Sequence, residues 1–232
     1  MASVAESEEA WRRRIFLPNY QVQEAARYAH VAPQTVVQWQ KGAAGPALAP
    51  REQRVALSYM QLIEVAIVAA LRNSGVTLRR IRDAREYVQQ TLKSEFPFAE
   101  YRFKTDGQRL FMDFAEIVGK RKGRGTLLRP DQGGQLAWEA VIGRLEEFEY
   151  ERNRIVIRWH VAGPQSAVAI DPRVSFGAPM VKGIPTWAIK GRWEAGETPE
   201  EIADDFSLRK AEVVDALSFE GIDEARLRKW LN

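Results

Sequence analysis

Two stretches of this chain carry the same apolar skeleton at a fixed offset of 177 positions. "EAARYAHVAPQTVVQW", Glu24 to Trp39, lies over "EIADDFSLRKAEVVDA", Glu201 to Ala216. Ala26 falls on Ala203, Val31 on Leu208, and Val36-Val37 on Val213-Val214. In each copy a short helical pattern, a break and a second short helical pattern follow one another. Neither half is long enough to be stable alone, since isolated helices below about 12–15 residues are marginal in water. The pairs must therefore form corners, each half burying its apolar face on the other. A chain built around two such corners is committed to a helical framework.

The first corner has the makings of a helix-turn-helix. Val22, Ala25 and Ala26 form the inner face of the first helix, a turn spans Ala29–Ala32, and Pro33 suits the first position of the second helix. Val36, Val37 and Trp39 hold that second helix from behind, leaving Gln34, Thr35 and Gln38 on its free face. Gln pairs with adenine in the major groove, and Thr bonds a base or touches a thymine methyl. Arg27, Lys41 and Arg51 are placed to contact phosphates, which give affinity rather than sequence choice. A two-helix corner of any other kind can carry the same spacing.

The exposed positions do not repeat. Arg27 and Tyr28 become Asp204 and Asp205, while Gln34, Thr35 and Gln38 become Ala211, Glu212 and Asp215. Carboxylates there would be repelled by a duplex carrying one phosphate per about 1.7 Å of axis; only Arg209 and Lys210 argue otherwise. The first copy is expected to read DNA and the second to bind protein. Charge along the chain agrees. Residues 1–134 hold 21 Lys/Arg and 14 Asp/Glu, net +7, and residues 135–232 hold 13 and 17, net −4. A basic front and an acidic back suggest two partners of different character.

Between and around the corners the reading is coarser. "GAAGPALAP" is a connector. Ser58 and Gln61 make a capping box that opens a helix running to about Asn73, and Thr77 caps the next. That second helix carries Leu78, Ile81, Ala84, Val88 and Leu92 on one stripe, with Arg79, Arg80, Arg82 and Arg85 on its other faces. The alternation of Tyr101 and Phe103, then Leu110, Met112 and Phe114, around Asp106-Gly107 predicts a β-hairpin. "GKRKGRG" is a basic loop, either solvated or phosphate-contacting. A helix is expected from Gln135 to about Phe148, with Glu146, Glu147, Glu149 and Glu151 as its solvated end. "RIVIRWHV" predicts a strand with Ile155, Ile157 and Trp159 on one face. Gly177 and Gly183 suggest backbone bends in a loop stiffened by Pro179 and Pro185.

"SYMQLIEVAIVAALRNSGVTLRRIRDA", downstream of the first corner, gives residues Ile15 to Glu95 an order that resembles the MerR-type winged-helix domain. "NSGVTLRRIRDA" is similar to that family's Gly-(Val/Phe)-Ser-Leu segment. The resemblance implies a wing after the helix-turn-helix, although "GAAGPALAPREQR" lacks the usual Arg-rich, Tyr-containing sequence. It carries no metal sensing, because the chain has no cysteine. Farther on, Ile170-Asp171-Pro172, the loop Gly177 through Gly183, and Gly196 through Ile202 resemble a small family known as domain of unknown function number 433. That likeness covers Val168 to Glu220 and departs from the family at "GIPT", where Gly-Thr-Arg is usual. The resemblance implies an antitoxin of a type II toxin–antitoxin pair, and a MerR-like front on such a back looks like a VapB-type antitoxin. The expected partners are operator DNA and a cognate PIN-like ribonuclease toxin, with a homodimer on a palindromic operator. "EARLRKWLN" offers Arg226, Arg228, Lys229 and Trp230 as a basic plug for the carboxylate-rich, metal-binding site of such a toxin. The other reading packs Leu227, Trp230 and Leu231 onto their own domain.

The expected fold is α+β and mostly α, in three parts. Residues 12–95 form the winged helix-turn-helix, 96–166 a middle hairpin-helix-strand segment and candidate dimerisation element, and 167–232 a small helical domain that opens on a short strand and a Gly/Pro-rich loop. No constellation supports catalysis: two isolated histidines, His30 and His160, and no cysteine give no metal-ligand spacing. No catalytic residue, metal or cofactor is expected. The first residues hold no apolar core of a secretory signal, and Tyr59 to Leu71 is too short for a bilayer. A cytoplasmic protein is therefore expected. The alternative left open is a stand-alone MerR-like transcriptional regulator whose back domain binds a small ligand in an apolar cavity under Trp187 and Trp193.

Overall fold

The computed structural model describes residues 10–41, 45–52, 54–73, 75–100, 146–151, 155–227 and 230. The hairpin around Asp106-Gly107 with Tyr101, Phe103 and Phe114, the basic loop 119–125 and the helix from Gln135 lie outside the described residues. The chain divides into two compact units. One comprises Met1–Glu146 and Tyr150–Val156, the other Glu147–Glu149 and Ile157–Asn232. Among the described residues no helix is long and apolar enough to cross a membrane.

The first unit is helical. Helices α1 (Val22–Tyr28) and α2 (Pro33–Gln40) form the first corner, followed by α3 (Tyr59–Asn73), α4 (Leu78–Leu92) and the short α5 (Pro97–Glu100). α3 is the axis of this unit, buried along nearly its whole length from Tyr59 to Leu71. A helix that is apolar on all sides must be enclosed, and each buried Leu, Ile or Val contributes roughly 1.5–3 kcal/mol. It starts where expected: Gln61 donates from its backbone to Ser58 Oγ (3.2 Å), and the Ser58 N–H donates to Gln61 Oε1 (2.9 Å). Thr77 accepts from the Arg80 N–H and caps α4. Ile81 and Ala84 on the expected stripe are buried.

Two features of this unit depart from the sequence reading. Arg85 is not on an outer face of α4. It is 4% exposed, donates to the Glu95 carbonyl (2.8 Å) and to Gln89 (2.9 Å), and lies 3.9 Å from the buried Glu64. The connector after α2 is also interior, with Ala47, Leu48 and Ala49 buried. Its backbone polar groups are met by the Trp39 carbonyl, which accepts from Ala47 (2.8 Å), and by the Glu64 carboxylate, which accepts from Ala49 (2.6 Å). The described residues between α2 and α3 carry no strand beyond a single bridge between Tyr20 and Leu57.

The second unit carries most of a five-stranded antiparallel sheet in the order β1 to β5: Phe148–Tyr150, Val156–Trp159, Ala169–Ile170, Pro179–Val181 and Ile184–Pro185. Four helices follow, α6 (Thr186–Glu194), α7 (Pro199–Phe206), α8 (Lys210–Phe219) and α9 (Glu224–Leu227). The back part thus carries more sheet than the single short strand expected before its helices. Its strands of two and three residues are too short to show alternation. Val181 pairs with Ile184 across Lys182-Gly183, both with positive φ (48° and 89°), the geometry of a primed two-residue hairpin turn. Phe148 stacks on Trp159 (5.8 Å between centroids), and Ile170, Val181, Ile189, Ile202, Val213 and Leu217 complete the core.

The acidic run near position 146 is not a solvated helix end. Glu146 and Glu147 form a turn and Phe148 opens β1. Glu147 is buried and accepts from Trp159 Nε1 (3.2 Å); Glu149 meets His160 Nε2 (2.7 Å) and Arg158 (3.6 Å). Val156 is as buried as Trp159, whereas Ile155 and Ile157 are only half-buried, so the single face of Ile155, Ile157 and Trp159 does not hold.

Candidate nucleic-acid interface

In the first corner α1 is closed at its N-terminus by a capping box, the Gln21 N–H donating to Glu24 Oε2 (2.7 Å). The chain leaves α1 through His30 in the left-handed region (φ 54°), and the Val31 N–H returns to the Ala26 carbonyl (2.9 Å). Pro33 occupies the first turn of α2, where its missing N–H costs nothing. Val36 and Trp39 are buried, Val37 half-buried. Gln34, Gln38 and Lys41 are exposed and Thr35 is half-buried, so the polar face of α2 opens outward. Arg27 is exposed with its guanidinium 5.0 Å from the Tyr28 ring centroid. Arg51 is half-buried and already used: it donates to Gln40 Oε1 (3.3 Å) and to the Val55 carbonyl, tying the connector to the end of α2.

The second corner repeats the first bond for bond at the offset of 177. Thr198 replaces Gln21 as the cap, its N–H donating to Glu201 Oε2 (2.8 Å). Ser207 takes the left-handed place of His30 with the same φ of 54°, and the Leu208 N–H returns to the Ala203 carbonyl (2.8 Å). The Glu212 N–H donates to the Arg209 carbonyl as Thr35 does to Ala32, each at 2.9 Å. Ile202, Ala203, Val213, Val214 and Ala216 are buried. The skeleton read from the sequence is therefore a structural repeat.

Its surface is spent differently. Asp204 and Asp205 are exposed, but Glu212 is not the open carboxylate expected: it is 4% exposed. Burial alone would raise its pKa; the Arg209 N–H (2.8 Å), the Arg209 guanidinium (2.8 Å) and Lys182 Nζ (3.0 Å) outweigh that and hold it at about 2. Asp215 is half-buried and accepts from the Ala167 N–H (2.9 Å) and Ser166 Oγ (3.2 Å), fastening α8 to the lead-in of β3. Lys210 pairs with Glu200 (2.7 Å). Of the α8 positions that match the open face of α2, Glu212 and Asp215 are thus engaged with their own unit and Ala211 stays exposed.

At the C-terminus Arg226 is exposed and lies 5.8 Å from the Trp193 ring centroid, Leu227 is buried, and Trp230 is half-buried. Leu227 therefore packs as the self-contained reading requires. Arg228 and Lys229 lie outside the described residues. Trp187 is 65% exposed, whereas Ile189 of the same helix enters the core. His160 follows β2 and pairs with Glu149, His30 is exposed in its turn, and among the described residues no group of three or more His, Asp or Glu side chains is placed to hold a metal.

Sequence reasoning missed Glu64. It is fully buried, accepts from the Ala49 and Phe98 N–H groups (2.6 and 3.5 Å), and faces Arg85. Burial raises its carboxyl to about 7 against the pull of Arg85 and the two N–H groups. A lone acid inside the apolar run Tyr59–Leu71 was the available signal.

Residues 168–219 match the family model described as a protein of unknown function (DUF433), the segment where that likeness was expected. A Mycobacterium tuberculosis protein named "Putative antitoxin VapB45" is 26% identical over 227 residues, spanning 88% of this chain and 94% of its own length. The crystal structure of Rv2018 from Mycobacterium tuberculosis has the same fold, with a TM-score of 0.68 at 24% identity over 88% of this chain and 99% of that one.

Proposed function

We propose that the chain is the antitoxin of a type II toxin–antitoxin pair, with a MerR-like front that binds its own operator and a back unit that holds a PIN-like ribonuclease toxin. The observation that carries this reading is the repeated corner with two surfaces. The same hydrogen-bonded skeleton presents open amides on α2 and internally consumed carboxylates on α8. The likeness to a protein bearing an antitoxin name supports the antitoxin role. In this reading Gln34, Thr35 and Gln38 read base edges, while Arg27 and Lys41 hold phosphates. Arg51, committed to Gln40 and Val55, sets the angle of the connector and adds field rather than a direct bond.

A homodimer on a palindromic operator follows from the two-fold pairing of such corners, and repression of the pair's own promoter follows from occupancy. The test is co-expression with the adjacent gene. Growth arrest caused by that gene alone should be relieved, and a complex should purify. Promoter DNA should bind the wild type, with affinity falling steeply as salt rises. The triple substitution Gln34→Ala, Thr35→Ala, Gln38→Ala should remove preference for that promoter. A harmless neighbour, or promoter binding indifferent to the triple substitution, would sink the reading.

A further inference from the structure

We infer that the toxin-docking surface of the second unit is the Arg173–Phe176 loop with the Lys182-Gly183 turn beside it, and that it receives an acidic, apolar-centred face of the partner protein. This rests on the antitoxin reading above. All three large apolar side chains exposed in the described part of this unit fall between positions 174 and 187: Val174 (40%), Phe176 (74%) and Trp187 (65%). The loop and the turn are one surface. Ser175 Oγ donates to the Gly183 carbonyl (3.3 Å), and Val174 Cγ1 stands 4.0 Å from where a side chain on Gly183 would begin. Trp187 follows four residues after Gly183, within about 14 Å by chain length.

The loop is held rigidly in a conformation its own residues disfavour. Ser175, Phe176 and Gly177 are consecutive left-handed residues (φ 47°, 52° and 76°). A bulky aromatic avoids that region and Asn tolerates it. Buried Asp171 fixes the base of the loop: its side chain accepts from the Arg173 N–H (2.9 Å) and guanidinium (2.6 Å), and its carbonyl from the Val174 N–H (3.1 Å). Phe176 therefore sits where it strains the backbone while 74% of it stays exposed. Rigid aromatics flanked by Arg are what interface centres are made of.

Charge says what the partner is. From Arg173 to Lys190 the chain carries three cations and no carboxylate, whereas Glu194 to Asp205 carries six carboxylates and no cation. Arg173 and Lys182 remain 37% and 57% exposed while paired with buried Asp171 and Glu212. A partner face edged with carboxylates matches that stretch. A nucleic acid would meet exposed Glu201 and Asp204 in the neighbouring stretch and be repelled there, the other four carboxylates being paired with Lys190, Arg192 and Lys210.

The test uses the full chain and the purified product of the adjacent gene. Phe176→Asn and Trp187→Ser should each weaken that complex at least tenfold. Phe176→Asn should leave the melting temperature unchanged or raised, because Asn relieves the left-handed strain, and promoter binding should stay as in the wild type. Added salt should weaken the wild-type complex. A complex that forms with wild-type affinity in both variants overturns this surface while leaving the antitoxin reading standing. So does a variant that changes only the sedimentation of the chain alone, or only its binding to a single-stranded RNA oligonucleotide. If the wild type forms no complex, both readings fall together.

Discussion

Glu64 is the most sharply testable group in the first unit. It joins three pieces: the connector through the Ala49 N–H, the α5 region through the Phe98 N–H, and α4 through Arg85. Its carboxyl sits at about 7 in the folded chain against an ordinary 4.5, because burial penalises the charge more than Arg85 and the two N–H groups favour it. The folded chain therefore keeps a proton that the unfolded chain releases between those values. The contribution of this group is full below pH 4.5 and is lost as pH rises through about 7. The interval from 4.5 to about 7 corresponds to about 3 kcal/mol. Glu64→Gln copies the protonated form and does not titrate. Its stability should match the wild type at pH 4.5 and exceed it by about 3 kcal/mol at pH 8. Urea midpoints of both proteins from pH 4 to 8 measure the difference, and carbon-13 NMR of the glutamate carboxyls reports Glu64 directly. A gap that stays constant with pH, or a wild type that gains on the variant as pH rises, would mean that the Arg85 pair outweighs burial and that this account of the interior is wrong.

Other outcomes follow from the same geometry. Trp39→Ala, which empties a buried site behind α2, should cost about 3–5 kcal/mol in thermal or urea unfolding and weaken promoter binding with it; the exposed Gln38→Ala should leave stability within about 0.5 kcal/mol and weaken only binding. Gly183→Ala places a side chain at φ 89° and should destabilise the second unit by about 1–2 kcal/mol, measured by denaturant midpoint. Glu212, held at about 2, stabilises the second corner above its unfolded value of 4.5, and that contribution is lost as pH falls toward 2. Amide exchange in α8 should quicken across that window in the wild type and be flatter in Glu212→Gln.

What could be read from the sequence was local. Caps and the apolar spacing of the two corners are set by residues three to five apart, so Ser58 with Gln61, Thr77, Pro33 and the Ala26/Ala203 skeleton are found where spacing puts them. What could not be read depends on partners far along the chain. Arg85 looks like a surface cation until Glu64 is known to face it. Glu147 looks like a helix end until Trp159 donates to it. A short strand after Ala167 is legible, but β4 and β5 hide because two or three residues cannot show a period; the pair Lys182-Gly183 between Val181 and Ile184 was their local mark.

The two corners also show how one skeleton can separate two tasks. At position 35 of the first and 212 of the second the backbone makes the same 2.9 Å bond, so the helix start does not depend on which side chain stands there. The side chain is then free to diverge. Thr35 stays at the edge of an open polar face, whereas Glu212 turns inward and gathers Arg209 and Lys182 around itself. That inward turn pins the Lys182-Gly183 turn to α8 and so braces the strand pair beside which Val174 and Phe176 are displayed. An acid that on a bare helix would merely repel a polyanion here does structural work for a different surface of the same unit. The charge of a helix-turn-helix face therefore bears on its function only after the carboxylates used inside the fold have been set aside.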